Sequence, residues 1–432
     1  MAPHKSRQQD FTRERLLPAH VVLALELSIA TRAINPAICD FSDRHKIVNP
    51  RTGLEPCDKA FIAARQKLLP SVWRATFDKI HQIHDQHGEI LTLHPHARIS
   101  AEPGGLRVVA ADGTTLNMPP AMFAKYCARV AQQERELDDS ITDEVPQLRM
   151  VLLYDILNQL PYDADWSLLD CSERELLLSC KKLKKGVLLI GDRGYPSAGL
   201  YAMLDHQQVK FVIRVPLDRR VKAIKTLLES GKDELVVDLK LDEEQRKFCA
   251  FHGVKRRLGS TQRVRLVKVI LADGSPEILA TNLRRRQFPA NCFSQIYKMR
   301  WGVETFFDHY KHCERIEGWS GTSPAHVDAE IMLKLCTAAL SSIFTAGLRE
   351  AFRRDAAETP PGKRIKTVNR RVALQHLLPV IELLFLGQID KAMILMDKSL
   401  RRLKRNPNQQ RQHHPRTTAK TDRKVCPNRK SL

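Results

Sequence analysis

At 432 residues the chain exceeds what one compact core holds, so two or three folded units are expected. Lys and Arg outnumber Asp and Glu by 21, a surplus that points to a polyanionic partner, nucleic acid ahead of an anionic membrane. No apolar run reaches the roughly 18 residues of a spanning helix, and ten cysteines without one Cys-x-x-Cys pair argue against a zinc ribbon or a disulfide framework. The sequence therefore reads as a soluble, reduced, cytoplasmic protein.

Residues 1–100 read as a helical region. Helices are expected over 17–31, where His20 and Glu26 interrupt what would otherwise resemble a signal peptide, and over 58–69 and 72–86, around a turn at 49–56. Short helices of this kind suit DNA, with Lys59, Arg65, Lys67 and Arg74 as phosphate contacts. His81, His84 and His87, followed by His94 and His96, have metal-like spacing but no accompanying cysteines or carboxylates, and read as a wet helix end.

Past Gly104 and Gly105 the pattern turns to strands. Residues 106–119 suggest a hairpin with a tight turn at Gly113, which places Asp112 at the end of its first strand. A strand is expected over 148–157, then a helix over 172–183 with a capping box from Ser172 to Glu175. The apolar run 186–191 ends abruptly in Asp192, so a second acid stands at a strand mouth, where α/β sheets place their sites. A helix to about 206 and a strand over 209–215 continue the alternation of an α/β domain across 101–215.

Residues 216–288 change texture and read as a β-rich insertion, with strands over 234–241, 264–271 and 277–282. Seventeen Lys or Arg against ten acids, including Lys255-Arg256-Arg257 and Arg284-Arg285-Arg286, offer contacts to a DNA strand. The segment 289–345 follows, with one amphipathic helix expected over 296–319. At about 100° per residue, Tyr297, Arg300, Glu304 and Lys311 share an arc of about 60°, beside an apolar arc of Ile296, Met299, Val303, Phe306, Phe307 and Tyr310. A helix capped by Ser323 runs on to about 354, and helices over 368–386 and 388–405 occupy the C-terminal region, 346–397 and beyond. From Lys398 onward twelve Lys or Arg face the single acid Asp422, so 398–432 reads as a basic disordered tail.

Three acids stand out: Asp112, Asp192 and Glu304. Carboxylates that converge on hard divalent cations are what phosphodiester chemistry requires, and basic neighbours would hold the DNA backbone. A salt-bridged surface stripe on an ordinary core helix is the plainer alternative for Tyr297, Arg300, Glu304 and Lys311.

The sequence resembles the DDE transposases of bacterial insertion sequences, above all the insertion sequence 4 family. The signature of that branch, Tyr, two residues, Arg, three residues, Glu, six residues, Lys, is met by Tyr297, Arg300, Glu304 and Lys311, with Trp301 and Phe307 beside them. Asp112-Gly113-Thr114 with Pro119 is similar to the first aspartate block, and Asp192-Arg193-Gly194-Tyr195 to the second. Asp58 to Lys67 also resembles that branch, so the likeness covers roughly residues 10–345.

The resemblance implies an RNase H-like catalytic domain interrupted by the β-rich insertion, with helical regions at both ends. It implies two Mg²⁺ ions per site, replaceable by Mn²⁺, held by Asp112, Asp192 and Glu304. Tyr297, Arg300, Lys311 and Arg193 would contact DNA. The implied reaction is cleavage at the ends of an insertion sequence and strand transfer, by cut-and-paste through hairpin ends, in a homodimer that binds terminal inverted repeats and target DNA on the nucleoid. One departure is visible. Relatives stack a flipped base on an insertion tryptophan, whereas Trp73, Trp166, Trp301 and Trp319 all lie outside 216–288, which leaves Phe248 or Phe251 as substitutes, with a place in the core as the plainer reading of each. A non-catalytic DNA-binding derivative, or a host recombination nuclease on the same fold, are the alternative readings.

Overall fold

The computed structural model describes residues 4–12, 16–29, 33–131, 146–218, 220–254, 259–271, 274–312, 316–321, 323–360 and 363–410. Lys255-Arg256-Arg257, residues 313–315 of the helix expected over 296–319, and the tail from 411 lie outside the described residues. The chain divides into two compact units.

One unit comprises Met1–Gln86, Asn117–Glu136 and Asp308–Leu432. Its helices are α1 (Ala19–Ile29), α2 (Ile34–His45), α3 (Asp58–Arg65), α4 (Ser71–His87), α5 (Pro120–Ala131), α12 (Pro324–Phe344), α13 (Ala346–Ala357), α14 (Arg370–Phe385) and α15 (Ile389–Arg405). Two short strands, β11 (Ile365–Thr367) and β12 (Asn408–Gln410), pair antiparallel. Because α1 is apolar around most of its circumference, it is buried from Val21 to Ile29. Glu26, the one acid in it, is met by Arg65 Nε at 3.0 Å and by the Trp73 indole at 2.5 Å.

Arg65 is thereby lost as a phosphate contact. It is buried and also reaches Glu330 at 3.3 Å and Ser320 at 2.9 Å, as a charge in an apolar setting must. His81 is likewise no wet helix end, for it is buried against the Phe77 ring. The long helix expected over 323–354 begins as foreseen, with the Ser323 hydroxyl accepting from His326 N, but it bends by 54° between α12 and α13. No single helix among the described residues is long and apolar enough to cross a membrane.

The other unit, His87–Leu116 with Leu137–Phe307, is a mixed α/β structure on one eight-stranded sheet. After a small ladder of β1 (Thr92–Leu93) and β2 (Ile99–Ser100) come β3 (Arg107–Asn117), β4 (Gln147–Asp155), β5 (Leu160–Leu168), β6 (Val187–Gly191), β7 (Lys210–Val215), β8 (Glu234–Lys240), β9 (Thr261–Ile270) and β10 (Pro276–Thr281). The order is β5-β4-β3-β6-β7-β10-β9-β8. Within it β3, β6 and β7 pair parallel, while β4 with β5, and β7, β10, β9 and β8 in turn, pair antiparallel.

Every residue of β6 is buried, as a strand covered on both faces requires. On one face Leu176 and Leu177 of α6 (Glu173–Ser179), Leu200 and Leu204 of α7 (Ala198–His206), and Ile224 and Leu227 of α8 (Lys222–Glu229) fill the core. On the other, Phe293, Ile296 and Tyr297 of α10 (Phe293–Lys298) pack over Val108, Leu188, Ile190 and Val212.

Three sequence expectations change here. β3 runs unbroken through Asp112 and Gly113, so no hairpin turn stands there. The strands of 216–288 extend the main sheet, because β10 pairs with β7, Ile278 opposite Val215. The helix expected over 296–319 is two helices, α10 and α11 (Trp301–His312).

Candidate active site

Parallel pairing matches Arg107 with Val187 and Ala110 with Ile190. The pairing ends there, two residues short of Asp112 on β3 and two short of Asp192, which follows β6. Both acids stand at the C-terminal mouth of the parallel strands, Asp112 inside β3 and Asp192 one residue beyond β6. Gly113 N donates to Asp112 Oδ1 at 3.1 Å, and Tyr195 N donates to the Asp192 carbonyl at 3.2 Å, closing a turn that leaves Arg193 exposed.

Glu304 arrives from the other direction, on α11. Between α10 and α11 the backbone passes through i to i+3 hydrogen bonds: Arg300 N to Tyr297 O at 3.0 Å, Gly302 N to Met299 O at 3.1 Å, and Val303 N to Arg300 O at 3.1 Å. This tighter winding replaces the smooth helix read from the sequence. It carries Arg300 inward: only 5% of that residue is exposed, and it forms an ion pair with Glu304. The Arg300 guanidinium lies 5.8 Å from the Tyr297 ring centroid and 5.8 Å from that of Trp301, and it acts electrostatically on Asp112 and Asp192. The Tyr297 hydroxyl donates to Asp192 Oδ1 at 3.4 Å, and burial pushes that phenol up to about 12.

Tyr297 and Arg300 therefore do not present an open polar face, as the helical arc suggested; they line the floor beneath the acids. Lys311 sits in the last turn of α11, about two turns beyond Glu304. The structure thus sets Arg300 beside Tyr297 and Glu304, within electrostatic reach of Asp112 and Asp192, and leaves Arg193 exposed.

Glu173 belongs with this group and was not singled out from the sequence. It is the first residue of α6, and a Cβ added to Gly113 would overlap its carboxylate. Its helix was visible as a capping box, but an acid in a first turn reads as a partner of the helix dipole. Its approach to Asp112 depends on a helix start meeting a strand distant in sequence and has no local signal. Burial first, then Glu304 and Glu173, raise Asp112 to about 6, against the lowering pull of Arg300 and the Gly113 N–H.

All candidate donors are carboxylate oxygens, the ligand type that suits Mg²⁺. Arg300 Nε, buried and without a hydrogen-bond partner, borders the same acids, and the buried Tyr195 hydroxyl lies beside Glu173. Among the described residues no three Asp, Glu, His or Cys side chains are drawn together as a ready metal-binding set. The acids fit such an ion by chemistry and charge, with Arg300 as the counter-charge that now stands among them.

No curated protein matches the sequence. A family description, the transposase DDE domain, matches residues 103–340, more than half of the chain, and that stretch runs from ahead of β3 into α12. On that match the chain belongs to the DDE-domain transposase family.

Proposed function

We propose that this transposase is an active enzyme of the insertion sequence 4 branch. Its mixed sheet would be an RNase H-like catalytic domain, with 216–288 as the insertion, and Asp112, Asp192 and Glu304 would hold divalent cations. What supports this reading is Arg300, which acts on both Asp112 and Asp192 and forms an ion pair with Glu304. Divalent cations bound there supply Lewis acidity for in-line displacement at phosphorus. In cleavage the oxygen of water forms a bond to phosphorus as the bond to the 3′ oxygen breaks. In transfer the resulting 3′-hydroxyl attacks a target phosphodiester, exchanging one P–O bond for another.

The chain's own residues hold and orient these groups. Tyr297 steadies Asp192 through its hydroxyl. Arg300, Lys311 and Arg193 are charge partners for backbone phosphates, and Arg300 takes that role by turning from Glu304. For the hairpin step of cut-and-paste, Phe248 packs against the apolar core around Met203 and Cys249, while Phe251 at the end of α9 (Glu243–Phe251) is 82% exposed. Phe251 is thus the aromatic in 216–288 that a flipped base can reach. The working form in this reading is a homodimer on the nucleoid, engaged with terminal inverted repeats and target DNA.

The test is nicking of the element's own terminal repeats by purified protein with Mg²⁺ or Mn²⁺. Asp192→Ala and Glu304→Ala are each expected to slow it by more than about a hundredfold, beyond what losing an outer partner of a metal ligand costs. Unchanged nicking in either variant would falsify the ligand assignment. Tight binding of the repeats with no cleavage at saturating Mn²⁺ would instead mark a non-catalytic binder.

A further inference from the structure

We propose that the sheet edge opposite the acids, which carries Lys184, Lys185, Arg284 and Arg286 on two tight turns, binds the phosphate backbone of a second stretch of duplex DNA. That the stretch is a second one rests on reading Asp112, Asp192 and Glu304 as the cutting centre; the basic surface itself stands apart from that reading.

The strand pairing sets both turns at one edge. Between the parallel β6 and β7 it begins at Leu188 with Lys210, and between β7 and the antiparallel β10 it ends at Val212 with Thr281. The turn that leads into β6, the start of β7 and the turn that leaves β10 therefore share the edge from which the parallel strands set out. Asn282 closes that edge, donating from Nδ2 to the Val209 carbonyl at 2.9 Å and accepting from Phe211 N at 3.0 Å. Asp192 lies past the far end of β6, whose five residues span about 17 Å. The arginine run 284–286 thus stands at the end of the sheet away from Asp192.

Each turn is closed by its own backbone. In the first, Val187 N donates to the Lys184 carbonyl at 3.2 Å, and Gly186 takes a φ of 94°, the positive value that the third position of a type II turn requires. In the second, Gln287 N and Phe288 N donate to the Arg284 carbonyl at 3.1 and 2.9 Å. Phe288 anchors that turn in the core, and the Gln287 carbonyl accepts from His96 N at 2.7 Å. Lys184, Lys185, Arg284 and Arg286 are all exposed, with His96 exposed beside them. Only β7 lies between β6 and β10, so the turns belong to strands about 10 Å apart, within the range of DNA groove widths, about 6 and 12 Å.

Charge selects the partner. The acids tied to this edge are engaged: Asp155 with Arg107, Asp205 with the amides of Gln262 and Asn282, and Glu234 with Arg265 and Arg285. Among the described residues no acid pairs with Lys184, Lys185, Arg284 or Arg286. Cations left over on closed turns suit a polyanion of regular charge, and duplex DNA, which a transposase handles, carries one charge per about 1.7 Å of axis. Backbone that is already ordered also lowers the entropy lost on binding.

The experiment saturates the full-length protein with an unlabelled short terminal-repeat duplex, then follows binding of a fluorescent unrelated duplex by anisotropy between about 50 and 200 mM salt. The wild type should take up the second duplex with log K falling steeply in log salt. Lys184→Gln with Lys185→Gln, and Arg284→Gln with Arg286→Gln, should each flatten that slope by up to about two units, and all four together by up to about four. Lys184→Arg with Lys185→Arg should keep the wild-type slope, because charge is what is read. Binding of the terminal repeat and the melting temperature should stay at their wild-type values throughout. A wild-type slope in the fourfold variant overturns the proposal, as does an equal loss of both duplexes or exclusion of the second duplex by the first. Melting of that variant well below wild type would assign these side chains to the fold and also end it. The acids are tested separately through nicking, which this titration does not measure.

Discussion

Burial lifts Asp112 to about 6, with Arg300 opposing and the Glu304 and Glu173 carboxylates adding to the rise. Between about pH 4, where an unfolded aspartate loses its proton, and about pH 6, the folded chain holds a proton that the unfolded chain has released. Stability therefore falls as pH rises through that window, and the full cost stands above it. Asp112→Asn, neutral at every pH, is expected to exceed wild type in EDTA by about 2 kcal/mol at pH 7.5, with the gain fading towards pH 4. Melts of the two proteins across that range check it; an Asn variant less stable at pH 7.5 would show that the carboxylate is well compensated without metal. Phe251 answers a different question at the same scale. Stacking of one base on an aromatic ring is worth about 1–3 kcal/mol. Phe251→Ala should slow hairpin formation by about ten- to a hundredfold, leave the first nick unchanged, and be rescued by Phe251→Trp. Equal loss at both steps would place Phe251 in general binding.

At the scale of elements, α11 decides where Glu304 points. Gly302 permits a close approach to the turn that follows β4, since a Cβ there would lie 3.2 Å from Ile156 Cγ2, and one turn later Phe306 stacks on Tyr154 of β4 with ring centroids 4.8 Å apart. Glu304 sits between these two anchors. Phe306→Ala should cost about 3 kcal/mol in denaturant unfolding and lower nicking even at saturating Mn²⁺, whereas Phe306→Leu keeps most of both. Undiminished nicking in a destabilised Phe306→Ala would mean that Glu304 is placed by the Arg300 pair alone. The sequence made this helix visible through its apolar stripe but hid the break before it, because neither Pro nor Gly interrupts Tyr297 to Arg300 and the stripe continues across. Strands β6 and β7 were legible as dense apolar runs, a direct result of burial on both faces. The Asp112-Gly113 pair was misread as a hairpin turn: Gly113 is there for the close approach of Glu173, and a tertiary contact of that kind leaves the same letters as turn chemistry. Continuity of 216–288 with the main sheet was hidden for a similar reason, since the partner of β10 is distant in sequence.

For the whole molecule the question is how a surplus of 21 positive charges is used. Much of it is placed where it serves the fold or lies next to an acid: Arg65 is internal, and on α15 Arg401 pairs with Asp397 at 2.9 Å. Residues 411–432 differ, with seven Lys or Arg against Asp422 and no apolar residues at core spacing. A segment of that composition binds duplex DNA by releasing counterions, with log K falling by about 0.9 per log unit of salt for each phosphate neutralised. Deletion of 411–432 should therefore flatten the salt dependence by up to about six units of slope and weaken binding to every duplex alike. Preference for the terminal repeats over unrelated DNA should persist, because phosphate contacts position a protein while base contacts specify the sequence. Anisotropy titrations between about 50 and 200 mM salt measure both quantities. An unchanged slope would show that the tail does not engage DNA, and a loss confined to the repeats would make the tail a reader of sequence in its own right.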